Sequence, residues 1–259
     1  MQVVRAGGAQ FEIEQSGSGP DLLLLHSLLT DPGSFSAIVP ALSRTRRVTL
    51  VSLPGFGRST AAGPSIEDSA DRLAELVSSL GEKPDVLGNG YGGSIAVALA
   101  ARHGANLGKL VLADTGAAFP EAGRAPFRAM AEAVERNGMA AIVDVAVRRI
   151  FPESYLAAHP AAIGERREVL LRANPANFAA ACRALAKLDL RPELPHIRNP
   201  TLVVVGTLDA ATPPVLAREL ASGIPGAQLV EMPACGHCPP LQQPAEFVAA
   251  IAPFLGLKQ

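Results

Sequence analysis

The sequence predicts an α/β protein: a mostly parallel, doubly wound sheet of about eight strands with a helical segment inserted into it. Three observations carry this. Short runs rich in Val and Leu recur along the chain, helical patterns separate them, and one stretch of about 70 residues carries no strand pattern. Leu22–Leu25, Val48–Val51 and Leu202–Val205 are nearly continuous in apolar residues. Strands read this way when helices cover both faces of a parallel sheet. Alternation of such strands with helices gives right-handed crossovers.

Taken in order, strand patterns fall at Gln10–Gln15, Leu22–Leu25, Arg47–Ser52, Pro84–Leu87, Lys109–Ala113, Thr201–Val205 and Gln228–Met232. Helical patterns fall at Ser65–Leu80, Ser94–His103, Pro214–Ser222 and Ala245–Leu255. Ser65 and Asp68 stand in a Ser-x-x-Asp start close to a capping box, and Leu73, Leu76, Val77 and Leu80 follow at helical spacing. From Phe119 to Leu188 the pattern is helical only, punctuated by Pro126, Gly138, Pro152, Pro160, Gly164 and Pro175. The expected organisation is a core over residues 1–118 and 191–259, with a helical cap over residues 119–190. A separate helical domain is the alternative.

Composition excludes several classes. Charged residues make up 18% of the 259 and apolar residues 48%, enough to bury a core, so the chain is not disordered. A net charge of -1 leaves no basic footprint for nucleic acid. No apolar run approaches the ~18–20 residues that span a bilayer, and the N-terminus shows no secretory signal pattern. Three cysteines cannot all pair. The expectation is a cytoplasmic protein with no cofactor and no metal, acting on a small molecule, without nucleic-acid or membrane partners.

The chemistry concentrates at strand ends. Gly88-Asn89-Gly90-Tyr91-Gly92-Gly93 lies between a strand and a helix, the setting of a G-x-S-x-G nucleophile elbow. Its flanking glycines would let strand and helix approach closely. At the nucleophile position stands Gly90, where a Ser, Cys or Asp is required. The motif lacks the spacing of a dinucleotide fingerprint and the Gly-Lys-Ser/Thr of a P-loop. Asp209 follows the strand Thr201–Val205, where open α/β sheets place their sites. His237 follows the strand Gln228–Met232. Elbow, acid, then histidine is the chain order of α/β-hydrolase triads, in which a carboxylate orients an imidazole that moves the proton.

The loop Leu25-His26-Ser27-Leu28-Leu29-Thr30-Asp31 is placed to supply one oxyanion amide, and the residue after the nucleophile the other. That assigns the donors to Leu28 and Tyr91. His26 and Ser27 are expected to hold this loop through local hydrogen bonds. Cys235 and Cys238 flank His237 and are expected to line the wall beside it, with redox or metal roles as alternatives.

At these residues the chain resembles the α/β-hydrolase superfamily along essentially its whole length, and within it the 3-oxoadipate enol-lactonases. The resembling stretches are Leu25-His26-Ser27-Leu28-Leu29-Thr30-Asp31, Ala98-Leu99-Ala100-Ala101-Arg102-His103, Arg136-Asn137-Gly138-Met139 with Ile150-Phe151, and Leu188-Asp189-Leu190-Arg191-Pro192. The resemblance implies an α/β-hydrolase fold and a cofactor-free enzyme that opens a lactone ester under a helical cap. By position, Asp209 and His237 match the acid and base, and Leu28 and Tyr91 the oxyanion amides. Ser27, Ile150 and Cys238 fall at substrate-facing positions.

Two departures stand out: Gly90 replaces the serine, and Ile150 stands where the family often has Trp. Asn89 also resembles the position before the nucleophile in C–C bond hydrolases, but Cys238-Pro239-Pro240 departs from their aromatic residues. Three accounts of Gly90 remain open: a serine removed from an active enzyme, a natural hydrolase or lyase that needs no side-chain nucleophile and uses His237 as general base, or a silent ligand-binding protein. No other residue is expected to replace the serine. Among the arginines of residues 119–190, Arg124, Arg128, Arg148, Arg149, Arg166 and Arg167 are candidates to meet a substrate carboxylate.

Overall fold

A computed structural model describes residues 1–80 and 82–257. Among them, eight strands form one sheet in the order β1-β2-β4-β3-β5-β6-β7-β8. The strands are β1 (Gln2–Ala6), β2 (Ala9–Ser16), β3 (Asp21–Leu25), β4 (Arg47–Val51), β5 (Asp85–Asn89), β6 (Leu110–Ala113), β7 (Thr201–Gly206) and β8 (Gln228–Met232). Only the β1–β2 and β2–β4 pairs are antiparallel; the rest of the ladder is parallel. The strand β1 has no counterpart among the sequence-derived runs. It is an edge strand exposed over most of its length, so it lacks the apolar continuity that marks the buried strands.

The helices, in chain order, are α1 (Val39–Leu42), α2 (Ile66–Ser79), α3 (Tyr91–His103), α4 (Glu121–Asn137), α5 (Val143–Ile150), α6 (Glu153–Ala158), α7 (Ala161–Leu171), α8 (Pro175–Lys187), α9 (Pro214–Gly223), α10 (Pro239–Gln242) and α11 (Pro244–Leu255). The start of α2 is a full capping box. Ser65 Oγ accepts from the Asp68 N–H at 3.0 Å, and Asp68 Oδ2 accepts from the Ser65 N–H at 3.0 Å. Together these satisfy two N–H groups that a helix start otherwise leaves unpaired.

Alternate residues of β3 feed opposite cores, as the two-residue period of a strand requires. Leu23 and Leu25 join the core beneath α2, α3 and the segment between β6 and β7. Leu22 and Leu24 join Phe35, Leu42, Phe247 and Ile251 on the other face. Between β6 and β7 the chain forms α4 to α8, and an isolated antiparallel bridge pairs Ala118 with Asp189 where this segment leaves and rejoins the sheet. Among the described residues no helix is long and apolar enough to cross a membrane.

Candidate active site

The loops that carry Ser27, Gly90, Asp209 and His237 meet at the C-terminal ends of the parallel strands. Gly90 follows β5 directly and caps α3 with φ 54° and ψ -114°. Its N–H donates to the Ala113 carbonyl at 2.9 Å. Left-handed backbone of this kind is strained for any residue with a Cβ, and glycine adopts it freely. The flanking glycines answer a different need, close approach. A Cβ on Gly88 would stand 2.5 Å from the Gly92 carbonyl, and one on Gly92 would collide with the Leu25 carbonyl.

The loop after β7 presents Asp209, and the loop after β8 presents His237. Their side chains meet in a buried pair, with His237 Nδ1 2.9 Å from Asp209 Oδ2. The Ala211 and Thr212 N–H groups donate to Asp209 Oδ1 at 2.7 and 3.0 Å, and the Thr212 hydroxyl reaches Oδ2. Burial disfavours the carboxylate, but the charge and hydrogen bond of His237 and the bonds from Thr212 outweigh it. Asp209 is held below the usual carboxylate range. A charged Asp209 fixes the proton of His237 on Nδ1 and leaves the Nε2 lone pair free.

The position of His237 is set from behind. Its N–H donates to the Ile150 carbonyl at 2.9 Å. Its own carbonyl accepts from Asn89 Nδ2 at 3.0 Å. The Cys238 thiol donates to Asn89 Oδ1 at 3.2 Å, so the end of β5 grips the histidine loop through one amide side chain.

This geometry corrects two expectations. Ile150 is fully buried in the core and presents its carbonyl, not its side chain, to the histidine loop. Cys238 is also fully buried, turned towards Asn89 and away from the space in front of His237. Burial pushes its thiol up to about 12, so it holds its proton at neutral pH. The cysteines are unpaired, and among the described residues no cluster of three His, Cys, Asp or Glu is placed to hold a metal. The Ser27 hydroxyl does not bond within its own loop but stands 3.1 Å from His237 Nε2.

As expected, Ser27 and His26 hold the loop through local hydrogen bonds. The Ser27 N–H donates to Thr30 Oγ1 at 3.1 Å and the Thr30 N–H to the Ser27 carbonyl at 3.2 Å. His26 donates from Nδ1 to the Ser27 carbonyl at 2.8 Å and accepts the Leu53 N–H on Nε2 at 3.2 Å. Burial keeps His26 neutral, its value lowered to about 4.

In front of His237 lies a small cavity lined by Ser27, Leu28, Gly90, Tyr91, Phe127 and Arg149 among others. Its free space is about that of one water molecule. Phe119, Phe127, Arg149 and Leu185, from the segment between β6 and β7, form one wall of it. Among the described residues, the Leu28 and Tyr91 N–H groups have no protein acceptor.

Of the six arginines, Arg149 alone lines this cavity, its guanidinium 5.7 Å from the Phe127 ring centre. Arg124 is committed to the Phe119 carbonyl, Arg128 to Glu121 and Arg148 to Glu153. Burial lowers the Arg149 value and the charge of Asp209 opposes that shift. A larger open cleft, lined by Glu12, Thr30, Phe56 and Arg172, lies outside this constellation and lacks His237.

Asp114 was missed by sequence reasoning. It follows β6 with φ 49°, and its Oδ1 accepts the Gly206 N–H at 2.8 Å while Oδ2 has no partner. Burial, then the neighbouring charge of Asp209, raise it well above the usual carboxylate range. The rule that picked Asp209, an acid at the C-terminal end of a parallel strand, would have picked Asp114 as well.

An elbow between β5 and α3, an acid after β7 and a histidine after β8 stand in the order that defines the class of α/β hydrolases. The chain belongs to the alpha/beta hydrolase family, whose model matches residues 22–250. It is 33% identical over 254 residues to the pimeloyl-[acyl-carrier protein] methyl ester esterase of Aromatoleum aromaticum, covering 90% of this chain and 96% of that one. Among solved structures it resembles a thermophilic esterase from Thermogutta terrifontis, with 34% identity and a TM-score of 0.90 over 99% of this chain and 98% of that chain. It also resembles the enol-lactonase from Burkholderia xenovorans LB400, with 30% identity and a TM-score of 0.90 over 98% and 100%.

Proposed function

We propose that this chain is a cofactor-free hydrolase of small esters or lactones in which His237, oriented by Asp209, is the general base. One observation carries the reading: the buried pair at 2.9 Å stands at a cavity that His237 lines together with Gly90, Leu28 and Tyr91. Nε2 takes a proton from an oxygen nucleophile, and the imidazolium that forms is stabilised by Asp209. The Leu28 and Tyr91 N–H groups hold the oxyanion of the tetrahedral intermediate. The imidazolium then protonates the departing alkoxide. Proton transfer by a placed base contributes about 10²–10⁴-fold, and each oxyanion donor about 10²–10³-fold.

In this reading α4 to α8 act as a cap whose side chains close the cavity. Arg149, partly buried and free of an acidic partner among the described residues, supports a substrate that carries a carboxylate. The esterase and enol-lactonase names of the relatives support the ester class. Hydrolysis of p-nitrophenyl acetate and of a carboxylated enol-lactone tests this. Turnover that vanishes in His237→Ala is the expected result, and turnover indifferent to His237 overturns it.

A second reading, a serine lost from position 90, is favoured by the backbone. Gly90 keeps φ 54° and ψ -114°, a conformation of the kind nucleophile elbows hold under strain. It expects Gly90→Ser alone to raise turnover by orders of magnitude.

A further inference from the structure

We infer that Ser27 is the nucleophile, supplied from the loop after β3 to the same histidine that a side chain at position 90 would have used. The inference rests on the ester-hydrolase reading above. Its basis is register. The strands β3 and β5 are paired neighbours, with Leu25 opposite Gly88. Two residues beyond that pair on each strand lie Ser27 and Gly90. A Cβ built on Gly90 would fall 2.6 Å from Ser27 Oγ and 2.8 Å from His237 Nε2. The Ser27 hydroxyl therefore occupies the space that a side chain at position 90 would need.

Chemistry favours Ser27 over its neighbours. Its exposure is 1%, yet it lines the cavity, and its Oγ has His237 Nε2 as its hydrogen-bond partner at 3.1 Å. Its backbone groups are bound by Thr30 and His26, so the hydroxyl is not needed to hold the loop. Ser94 also lines the cavity, but its hydroxyl pairs with Thr115 Oγ1 at 3.1 Å. Ser27, His237 and Asp209 form a continuous chain, 3.1 Å then 2.9 Å, which is the arrangement that activates a serine. The Leu28 N–H follows Ser27 as the second oxyanion amide follows the nucleophile in a hydrolase elbow, and Tyr91 lines the same cavity.

The step balances without any added reagent. His237 Nε2 takes the Ser27 proton as Oγ bonds to the ester carbon, and the carbonyl electron pair moves onto oxygen. Collapse breaks the bond to the alkoxide, which leaves with the proton from His237. Water then enters, gives a proton to His237 and bonds to the acyl carbon. The Ser27 oxygen leaves and regains its proton, releasing the acid.

Diisopropyl fluorophosphate tests the assignment on the unaltered protein, with the adduct mapped by peptide mass spectrometry. Alongside it, p-nitrophenyl acetate turnover is compared in the parent, Ser27→Ala and His237→Ala, with thermal unfolding as the folding control. The expected result is a stoichiometric adduct on the Ser27 peptide, absent in His237→Ala, and a fall in turnover of about 10³-fold or more in Ser27→Ala. A parent that turns over ester without an adduct on Ser27, and keeps its rate in Ser27→Ala, overturns the assignment and leaves the hydrolase reading standing. A parent that neither turns over ester nor takes the label overturns both.

Discussion

The loop after β5 and the loop after β3 reach the same imidazole nitrogen from neighbouring strands, and they divide between them what one loop does in an ordinary elbow. The β5 loop keeps the positive-φ backbone of an elbow at Gly90, φ 54°, together with the close contact through Gly88 and Gly92, but offers no side chain. The β3 loop offers a hydroxyl 3.1 Å from His237, and none of its residues from His26 to Thr30 has positive φ. A strained turn is thus one way to aim a nucleophile at a base. Two neighbouring parallel strands that end in register provide another, because both loops then open onto the same point.

Four changes break or sharpen this comparison. The largest effect is expected from His237→Ala, which removes the group both loops address. Ester turnover should fall by about 10³-fold or more, measured as kcat/KM on p-nitrophenyl acetate. Next, the double variant Ser27→Ala/Gly90→Ser moves the hydroxyl from one loop to the other and clears the 2.6 Å approach to Ser27 Oγ. Its turnover should exceed that of Ser27→Ala by about 10²-fold, the scale of a positioned proton transfer. Equality of the two variants would mean that the β5 loop can no longer present a nucleophile.

The third concerns acid stability of the β3 loop. His26 has its value lowered to about 4 in the folded protein from an ordinary 6.5, because of burial. Between those values the unfolded chain binds the proton and the folded chain does not, so stability falls as pH drops from about 6.5 to about 4. The loss approaches about 3 kcal/mol. His26→Gln should flatten that part of a urea-denaturation profile against pH. The smallest effect is expected from Arg149→Ala. It should raise KM about 10-fold for an ester bearing a carboxylate, the scale of a charged hydrogen bond, and leave a neutral ester within about two-fold. An equal effect on both esters would assign Arg149 to packing against Phe127 instead.

Much of the architecture was legible because buried parallel strands announce themselves. Leu22–Leu25 and Leu202–Val205 have apolar residues on both faces, so their positions follow from composition alone. The exposed edge strand β1 lacked that signal. The order of elbow, acid and histidine was legible for a similar reason: each group sits at the end of a recognisable strand. Ile150 was misplaced because helical position does not state which way a side chain turns. In α5 it is Arg149 that faces the cavity, while Ile150 packs inward and lends its carbonyl to His237.

By itself the sequence determined the α/β alternation, the Gly90 vacancy and the residues Asp209 and His237, all properties of local pattern and chain order. Only the tertiary structure decided that Ser27 stands beside His237, that Asn89 and Cys238 grip the histidine loop, and that Asp114 lies next to Asp209. Ser27 and His237 are separated by 210 residues, and no local pattern encodes the register between β3 and β5 that brings them together. That register is set by the packing of both sheet faces, where a slip of one residue would turn every side chain of β3 to the opposite core.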